Sequence, residues 1–344
     1  MKKFVKFPSI QQFRKVVKDV QNKSAFTGLD SEGKATFDYN KPKPTLTFTQ
    51  TVKIHGTNAG VGLTTDGEFF QQSRNRLIST DNDNAGFANW CEEYPRKLYF
   101  INWLSDILHT KSTLATYKDN PIKQVTLFGE FAGKGIMKGV AVSEVEKSFF
   151  AFGLYFLHED GTTTKDTSSI KNLSNTNLGI YNIFMFENKR VEINFNDTKE
   201  VIKKIIEDTL TVENSCPVGE YFGVSGVGEG VVLLSDCGEY LFKSKGQKHS
   251  VSKVKTLSPA ETYELTNIED FVNDVLSENR LLQGIEYLRE MGFPIDNSST
   301  GEYIKWVQSD ILKEEGDIIE SKSLNIKKVN GVIANKAKSY LFSL

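Results

Sequence analysis

The chain has 344 residues, of which 25% are charged and 39% hydrophobic, the composition of a soluble globular protein with room for two separately cored domains. A net charge of −2 lacks the basic footprint that nucleic-acid binders usually carry, so such a role would fall to a local patch. No stretch approaches the roughly 20 apolar residues that span a bilayer, and no long apolar run follows Lys2, Lys3 and Lys6, so no membrane anchor or secretory signal is expected. Cys91, Cys216 and Cys237 form no CxxC pair, which points away from a disulfide framework or zinc site and toward reduced thiols in a cytoplasmic protein.

In chain order, Ile10, Phe13, Val16, Val17 and Val20 recur at helical spacing and predict a short amphipathic helix over 10–20. Residues 27–44 carry Gly, Asp and Pro and read as a loop. Thr45 to Val52 alternates polar and apolar residues and predicts a strand. Ala59–Thr64 and Gly67–Ser73 flank Thr65-Asp66 and predict a hairpin. From Ala85 to Leu108 the pattern is helical, with a break or fresh start at Pro95. Strands follow at Gln124–Phe131 and Ser148–Leu157, with a turn at Glu159-Asp160-Gly161. Asp197–Leu210 predicts a helix in which Asp197 caps and Glu200 completes a capping box. Val231–Leu234 and Tyr240–Lys245 predict a last hairpin across Ser235 to Gly238. Strands and helices mingle without a βαβ rhythm, so the expected class is α+β with an antiparallel sheet. Beyond Lys255 helical spacing dominates, and Ser258-Pro259-Ala260-Glu261 reads as a helix start. Two domains are expected, over 1–252 and 253–344.

The strand 45–52 delivers Lys53-Ile54-His55-Gly56-Thr57-Asn58. A lysine on a rigid strand is a covalent nucleophile once deprotonated, and Gly56 lets backbone and ligand approach closely, with Thr57 and Asn58 adding hydrogen-bonding groups. With a reference pKa near 10.4, only about one lysine in a thousand is neutral around pH 7, a handicap of roughly 4–5 kcal/mol. Neighbouring cations or a metal ion would lower it. Lys243 and Lys245, two apart on a predicted strand, point to one face and suit that task, although a solvated face is the commoner use of such a pair. Glu130 ends an apolar strand beside Gly129 and is placed to hold a hydroxyl or a metal, or else is a plain surface carboxylate. Of Phe149, Phe150 and Phe152, at least two are expected in the core, leaving one to stack on a base. Gly226-Val227-Gly228-Glu229-Gly230 precedes a strand and no helix, which excludes a dinucleotide-binding glycine loop. Arg74 and Arg76 leave the hairpin with forks suited to phosphate, or are simply solvated. His109, His158 and His249 show no metal-ligand spacing.

Six of these features occur in an order that resembles the covalent nucleotidyltransferases, in the form of the ATP-dependent RNA ligases of the phage T4 RNA ligase 2 type. Lys53 to Asn58 resembles motif I, and Arg74 the essential arginine that follows it. Phe128-Gly129-Glu130-Phe131-Ala132-Gly133 is similar to motif III, whose glutamate contacts the ribose, and Phe152 to the motif IIIa aromatic that stacks on adenine. Glu229-Gly230 before an apolar strand is similar to motif IV, whose glutamate binds the divalent metal, and Lys243 with Lys245 to motif V. The resemblance implies an antiparallel-sheet nucleotidyltransferase (ATP-grasp-like ligase) domain over 1–252, then a small all-α domain over 253–344 that helps hold RNA ends. It implies catalysis by Lys53, Lys243 and Lys245, with His55 assisting the first step. The nucleotide site would comprise Val52, Ile54, Gly56, Asn58, Arg74, Glu130, Phe152 and Glu229. ATP would leave AMP on Lys53, Mg²⁺ or Mn²⁺ would bind at Glu229, and Arg76 would touch RNA.

The implied partner is RNA with 5′-phosphate and 3′-hydroxyl ends, sealed by a monomer in the cytoplasm, of the host if the source is a phage. Lys322, Lys327, Lys328, Lys336 and Lys338 are candidates for phosphate contact or a solvated helix face. Two departures from the pattern stand out. Val52 replaces an acidic residue before the nucleophile, and Gly153 replaces the Asp that often follows the motif IIIa aromatic. The rival readings are a DNA ligase or capping enzyme, which generally carry Lys-x-Asp-Gly and an OB-fold, and a noncatalytic RNA-binding protein on the same scaffold.

Overall fold

The computed structural model describes residues 1–114, 117–254 and 267–344. The amino-terminal part comprises β1 (Gln11–Gln12), α1 (Phe13–Ala25), β2 (Phe26–Leu29), β3 (Ala35–Phe37) and β4 (Thr45–Val52). Next come β5 (Thr57–Thr64), β6 (Phe69–Ser73), β7 (Leu77–Ile78), α2 (Phe87–Glu92), α3 (Tyr94–Ser112), β8 (Ile122–Ala132), β9 (Ser148–His158), β10 (Thr163–Asp166) and β11 (Ile180–Asn182). They are followed by β12 (Asn188–Asn194), α4 (Lys199–Asn214), α5 (Pro217–Tyr221), β13 (Gly230–Ser235) and β14 (Leu241–Lys245). The carboxy-terminal stretch is helical, with α6 (Ile268–Val275), α7 (Glu278–Met291), α8 (Thr300–Ser321) and α9 (Ile326–Leu341). The helix start expected at Ser258–Glu261 lies outside the described residues.

Contacts divide the chain into two compact units. The first is Met1–Ser9, Gln50–Lys189 and Leu210–Val231, and the second is Ile10–Thr49, Arg190–Thr209 and Val232–Leu344. In the first, strands run in the order β10-β9-β8-β5-β6-β7, antiparallel throughout, with β11 added parallel to β9. Period-two alternation along β5 and β8, and along β9 on either side of a bulge at Phe152, places Ala59, Val61, Leu63, Val125, Leu127, Ala151, Leu154 and Phe156 in one core with Phe100, Leu104 and Leu108 of α3. Pro95 falls in the first turn of α3, where its missing N–H costs nothing, so the expected break is a helix start.

In the second unit a five-stranded sheet has the order β1-β14-β13-β4-β12. Phe13, Phe48, Phe195 and Phe242 meet there with ring centroids 4.8 to 6.4 Å apart. The helical stretch has its own core, from Phe271, Val275 and Ile285 through Tyr303 and Ile311 to Val329 and Ile333. Antiparallel sheets with a helical carboxy-terminal region make the class α+β.

Two local expectations are corrected. The first helix starts at Phe13 and runs to Ala25, because Gln11 and Gln12 are drawn into parallel pairing with Phe242 and Lys243 of β14. The loop expected over 27–44 contains the β2–β3 ladder. Phe26 packs edge-on to Phe37 across the ladder, and Phe37 stacks on Tyr39 at 5.8 Å, contacts that the turn-rich composition conceals. At the fourth helix Asp197 Oδ1 accepts the Lys199 N–H, while the Glu200 carboxylate engages Lys203.

Candidate active site

Lys53 follows the last residue of β4, and its backbone N–H donates to the carbonyl of Gly230 at the head of β13 (2.8 Å). Gly230 has φ of +144°, a conformation that favours glycine and lets Glu229 turn inward ahead of the strand. As a result Lys53 Nζ donates to Glu229 Oε2 at 2.7 Å, with the lysine side chain 16% and the glutamate 2% exposed. His55 Nδ1 lies 3.2 Å from the same oxygen. The Gly56 N–H donates to Glu130 Oε1 at 3.1 Å.

This closeness needs a glycine at position 56. A Cβ there would come within 2.4 Å of the Phe131 carbonyl oxygen and 2.8 Å of Ala132 Cβ. Gly56→Ala should therefore cost about 1–3 kcal/mol of stability, read from a denaturation midpoint, and should displace the contact to Glu130. An unchanged midpoint would show that β8 yields freely at this point.

Glu130 keeps a little exposed surface, yet burial pushes its carboxyl above the ordinary value. Lys53 and His55 and the Gly56 N–H pull it down, and Glu229 pushes it up. In sheet register Glu130 faces Asn58, whose Oδ1 is buried with no hydrogen-bond partner. An orphaned buried acceptor costs about 1–3 kcal/mol, which a ligand donor at that point would recover. The neighbouring Thr57 Oγ1 accepts from Asn84 Nδ2 (3.1 Å). Val52 and Ile54 bury their side chains, so any nucleotide contact they make is through backbone.

Phe149 and Phe150 are fully buried, whereas Phe152 is partly exposed on the opposite face from α3. Its ring meets Phe7 edge-on at 4.9 Å, beside Phe128 and Tyr155. Reciprocal amide bonds hold this amino-terminal strap. Gln124 bonds the backbone N–H and C=O of Lys3, and Gln72 those of Val5. The strap also accounts for Gly153, where an added Cβ would lie 3.2 Å from the Phe7 ring. A side chain as large as Asp would displace Phe7.

Arg74 is exposed at the end of β6. Arg76, the expected RNA contact, donates its guanidinium to the carbonyls of Asn82 (2.9 Å), Asp83 (3.2 Å) and Leu77 (3.5 Å) and braces its own loop. Among the described residues no group of three or more His, Cys, Asp and Glu side chains is arranged around a metal position. One buried carboxylate with a second nearby suits Mg²⁺ or Mn²⁺, which take one or two carboxylates and complete their ligand set with phosphate and water.

A sequence model of the RNA ligase family matches residues 46–255, more than half the chain and the whole run from motif strand to β14. The chain belongs to the RNA ligase family. No curated protein matches it. Among solved structures it is similar to a Naegleria gruberi RNA ligase with PPi, at 14% identity and a TM-score of 0.43 over 72% of this chain and 58% of that one. It is similar also to mutants of that ligase, one with ATP and Mn (14%, TM-score 0.43, 71% and 56%) and one with AMP and Mn (14%, TM-score 0.43, 72% and 58%). The chain thus spans less than two thirds of the length of these ligases.

The structure brings Lys53, His55, Gly56, Glu130 and Glu229 together within the first unit. Lys243 and Lys245 belong to the second unit, where they share one face of β14 while Phe242 and Ser244 are buried on the other. Lys243 Nζ donates to Glu314 Oε1 of α8 (2.5 Å). Neither Glu314 nor Phe7 follows from the family's motifs. The signal for Glu314 is its neighbour Glu315, which continues the apolar stripe Tyr303, Val307, Ile311 at the core position. A carboxylate there announces a buried ionic cluster.

Proposed function

We propose that the chain is an ATP-dependent RNA ligase that seals 5′-phosphate and 3′-hydroxyl RNA ends in three nucleotidyl transfers. The observation that carries this reading is Lys53 at 2.7 Å from Glu229, with Glu130 reaching the Gly56 N–H. The neutral Lys53 amine attacks the α-phosphorus of ATP. An N–P bond forms, the bond to the β-phosphate breaks and pyrophosphate leaves. The AMP then passes to an RNA 5′-phosphate, and a 3′-hydroxyl displaces AMP to close the phosphodiester.

The side chains supply position and charge. Glu229 holds the Lys53 amino group in an ion pair at 2.7 Å, so nucleophilic attack requires that the carboxylate be engaged elsewhere. Glu229 would hold a divalent cation, which would supply that engagement and offset phosphate charge. Glu130 and the Asn58 amide offer acceptors to the ribose and the base, and the partly exposed Phe152 offers its ring for stacking. Lys243 and Lys245 enter by their place in the family's order, as cations that stabilise charge on the transferred phosphoryl group. Arg74 takes a phosphate. Residues 1–252 form the adenylyltransferase domain in this reading, and 253–344 the helical domain that holds RNA ends.

Intact mass of the purified protein after Mg²⁺ with ATP, GTP or NAD tests the proposal. A gain of one AMP with ATP, followed by sealing of a 5′-phosphorylated RNA, is the expected result. A guanylate adduct favours capping chemistry, an adduct with NAD alone favours DNA-ligase chemistry, and no adduct on AMP-free protein leaves the RNA-binding module.

A further inference from the structure

Lys243 is held by a buried ionic cluster whose members come from the helical stretch of the second unit. Glu314 Oε1 takes the Lys243 ammonium, and Glu314 Oε2 takes Arg280 Nη2 at 2.9 Å. Arg280 has no exposed side-chain surface and is itself fixed by Asp310 (3.0 Å) and the carbonyl of Val275. The next residue on α8, Glu315, binds a different cation, Arg14 (2.7 Å), which also binds Asp317 (2.6 Å). Gln12, the register partner of Lys243 on β1, donates to Glu315 at 3.4 Å.

We propose that Glu314 is a positioning residue that orients the Lys243 ammonium for nucleotidyl transfer, which makes α8 part of the catalytic apparatus. The proposal rests on the reading of Lys243 as a catalytic cation given above. A lysine ammonium ends a flexible four-carbon stem and carries three donors. A carboxylate locked from behind by Arg280 selects one direction for that stem, so the ammonium is oriented before substrate arrives.

One observation favours positioning over simple cohesion: Arg14, with Glu315, Asp317 and the Glu314 backbone carbonyl, already ties α8 to α1 without the Glu314 side chain. Burial works to raise the Glu314 carboxyl, but Lys243 and Arg280, with Lys245 beyond them, hold it well below the usual range, so it stays anionic at working pH.

The test is a double-mutant cycle read by single-turnover formation of the AMP adduct against ATP concentration, in the full chain. Glu314→Ala should lower the maximal rate about 10- to 100-fold while changing the half-saturating ATP concentration less than about threefold. In a Lys243→Ala background the same change should have less than about a twofold effect, because Glu314 acts through that lysine. Glu314→Gln, which keeps shape and an acceptor oxygen, should recover part of the rate, and it replaces the alanine variant if that one fails to fold. An unchanged or faster rate in Glu314→Ala, or an equal loss in both backgrounds, overturns the proposal. If the unmutated protein forms no adduct, or if Lys243→Ala matches it, the catalytic reading of Lys243 itself fails and the role of Glu314 falls with it, an outcome distinct from a loss confined to Glu314→Ala.

Discussion

Lys53→Arg should form no nucleotide adduct, although it keeps a cation beside Glu229. Arginine can repeat the ion pair that Lys53 makes at 2.7 Å, but its guanidinium stays protonated in proteins and offers no lone pair to phosphorus. The expected loss is at least about 10⁴-fold in adduct formation, the scale seen when a covalent nucleophile is removed. Stability should stay within about 1 kcal/mol of the unmutated protein, since the anion retains a partner. Lys53→Ala should abolish the adduct equally but also cost about 1–3 kcal/mol, because Glu229 is nearly fully buried and would keep only His55 of these two neighbours. Intact mass and a urea midpoint on the same two variants separate the two effects. An AMP adduct on Lys53→Arg at the unmutated rate would place the nucleophile elsewhere.

Arg280→Ala should be the most destabilising single change in the helical stretch. The residue has 0% exposed side chain and pairs with Asp310 and Glu314, with Glu315 3.7 Å away. Its removal leaves buried carboxylates short of a counter-charge, which costs about 3–5 kcal/mol, a large part of the 5–15 kcal/mol that holds a typical domain folded. The sign of the pH dependence follows from linkage. Arg280 lowers the carboxyls of both Glu314 and Glu315 in the folded state, so its loss raises both. The folded variant then binds protons more readily, and acid relieves part of the penalty. The stability gap between the two proteins should be wider at pH 7 than near pH 4, where glutamates begin to protonate. Urea unfolding followed by fluorescence of Trp306, which packs against this core, measures it. A gap that is constant across that range would mean that Arg280 contributes packing alone.

What was legible in the chain follows from locality. The strand Thr45–Val52 and the hairpin after it agree with the structure residue for residue or nearly so, because alternation and a two-residue turn signal act over a few positions. The class, α+β with a helical carboxy-terminal stretch, was readable for the same reason. The loop expected at 27–44 failed because its strands are only four and three residues long, too short for the alternation of Ala35, Phe37 and Tyr39 to outweigh the surrounding Gly, Asp and Pro. The start of α1 slipped because pairing with β14, more than 200 residues away, outweighed helical spacing at Gln11 and Gln12.

The candidate site divides along the same line. By itself the sequence determined the chemical inventory, namely a lysine at a strand end, a glycine that admits close approach, carboxylates at 130 and 229 and a lysine pair two apart. Only the tertiary structure decided their partners. Glu229 meets Lys53 across 176 residues of chain, Phe7 lies on Phe152, and Glu314 holds Lys243. A side chain's type announces what it can donate or accept. Which charge or ring stands opposite is set by packing between distant segments, and no local spacing encodes that.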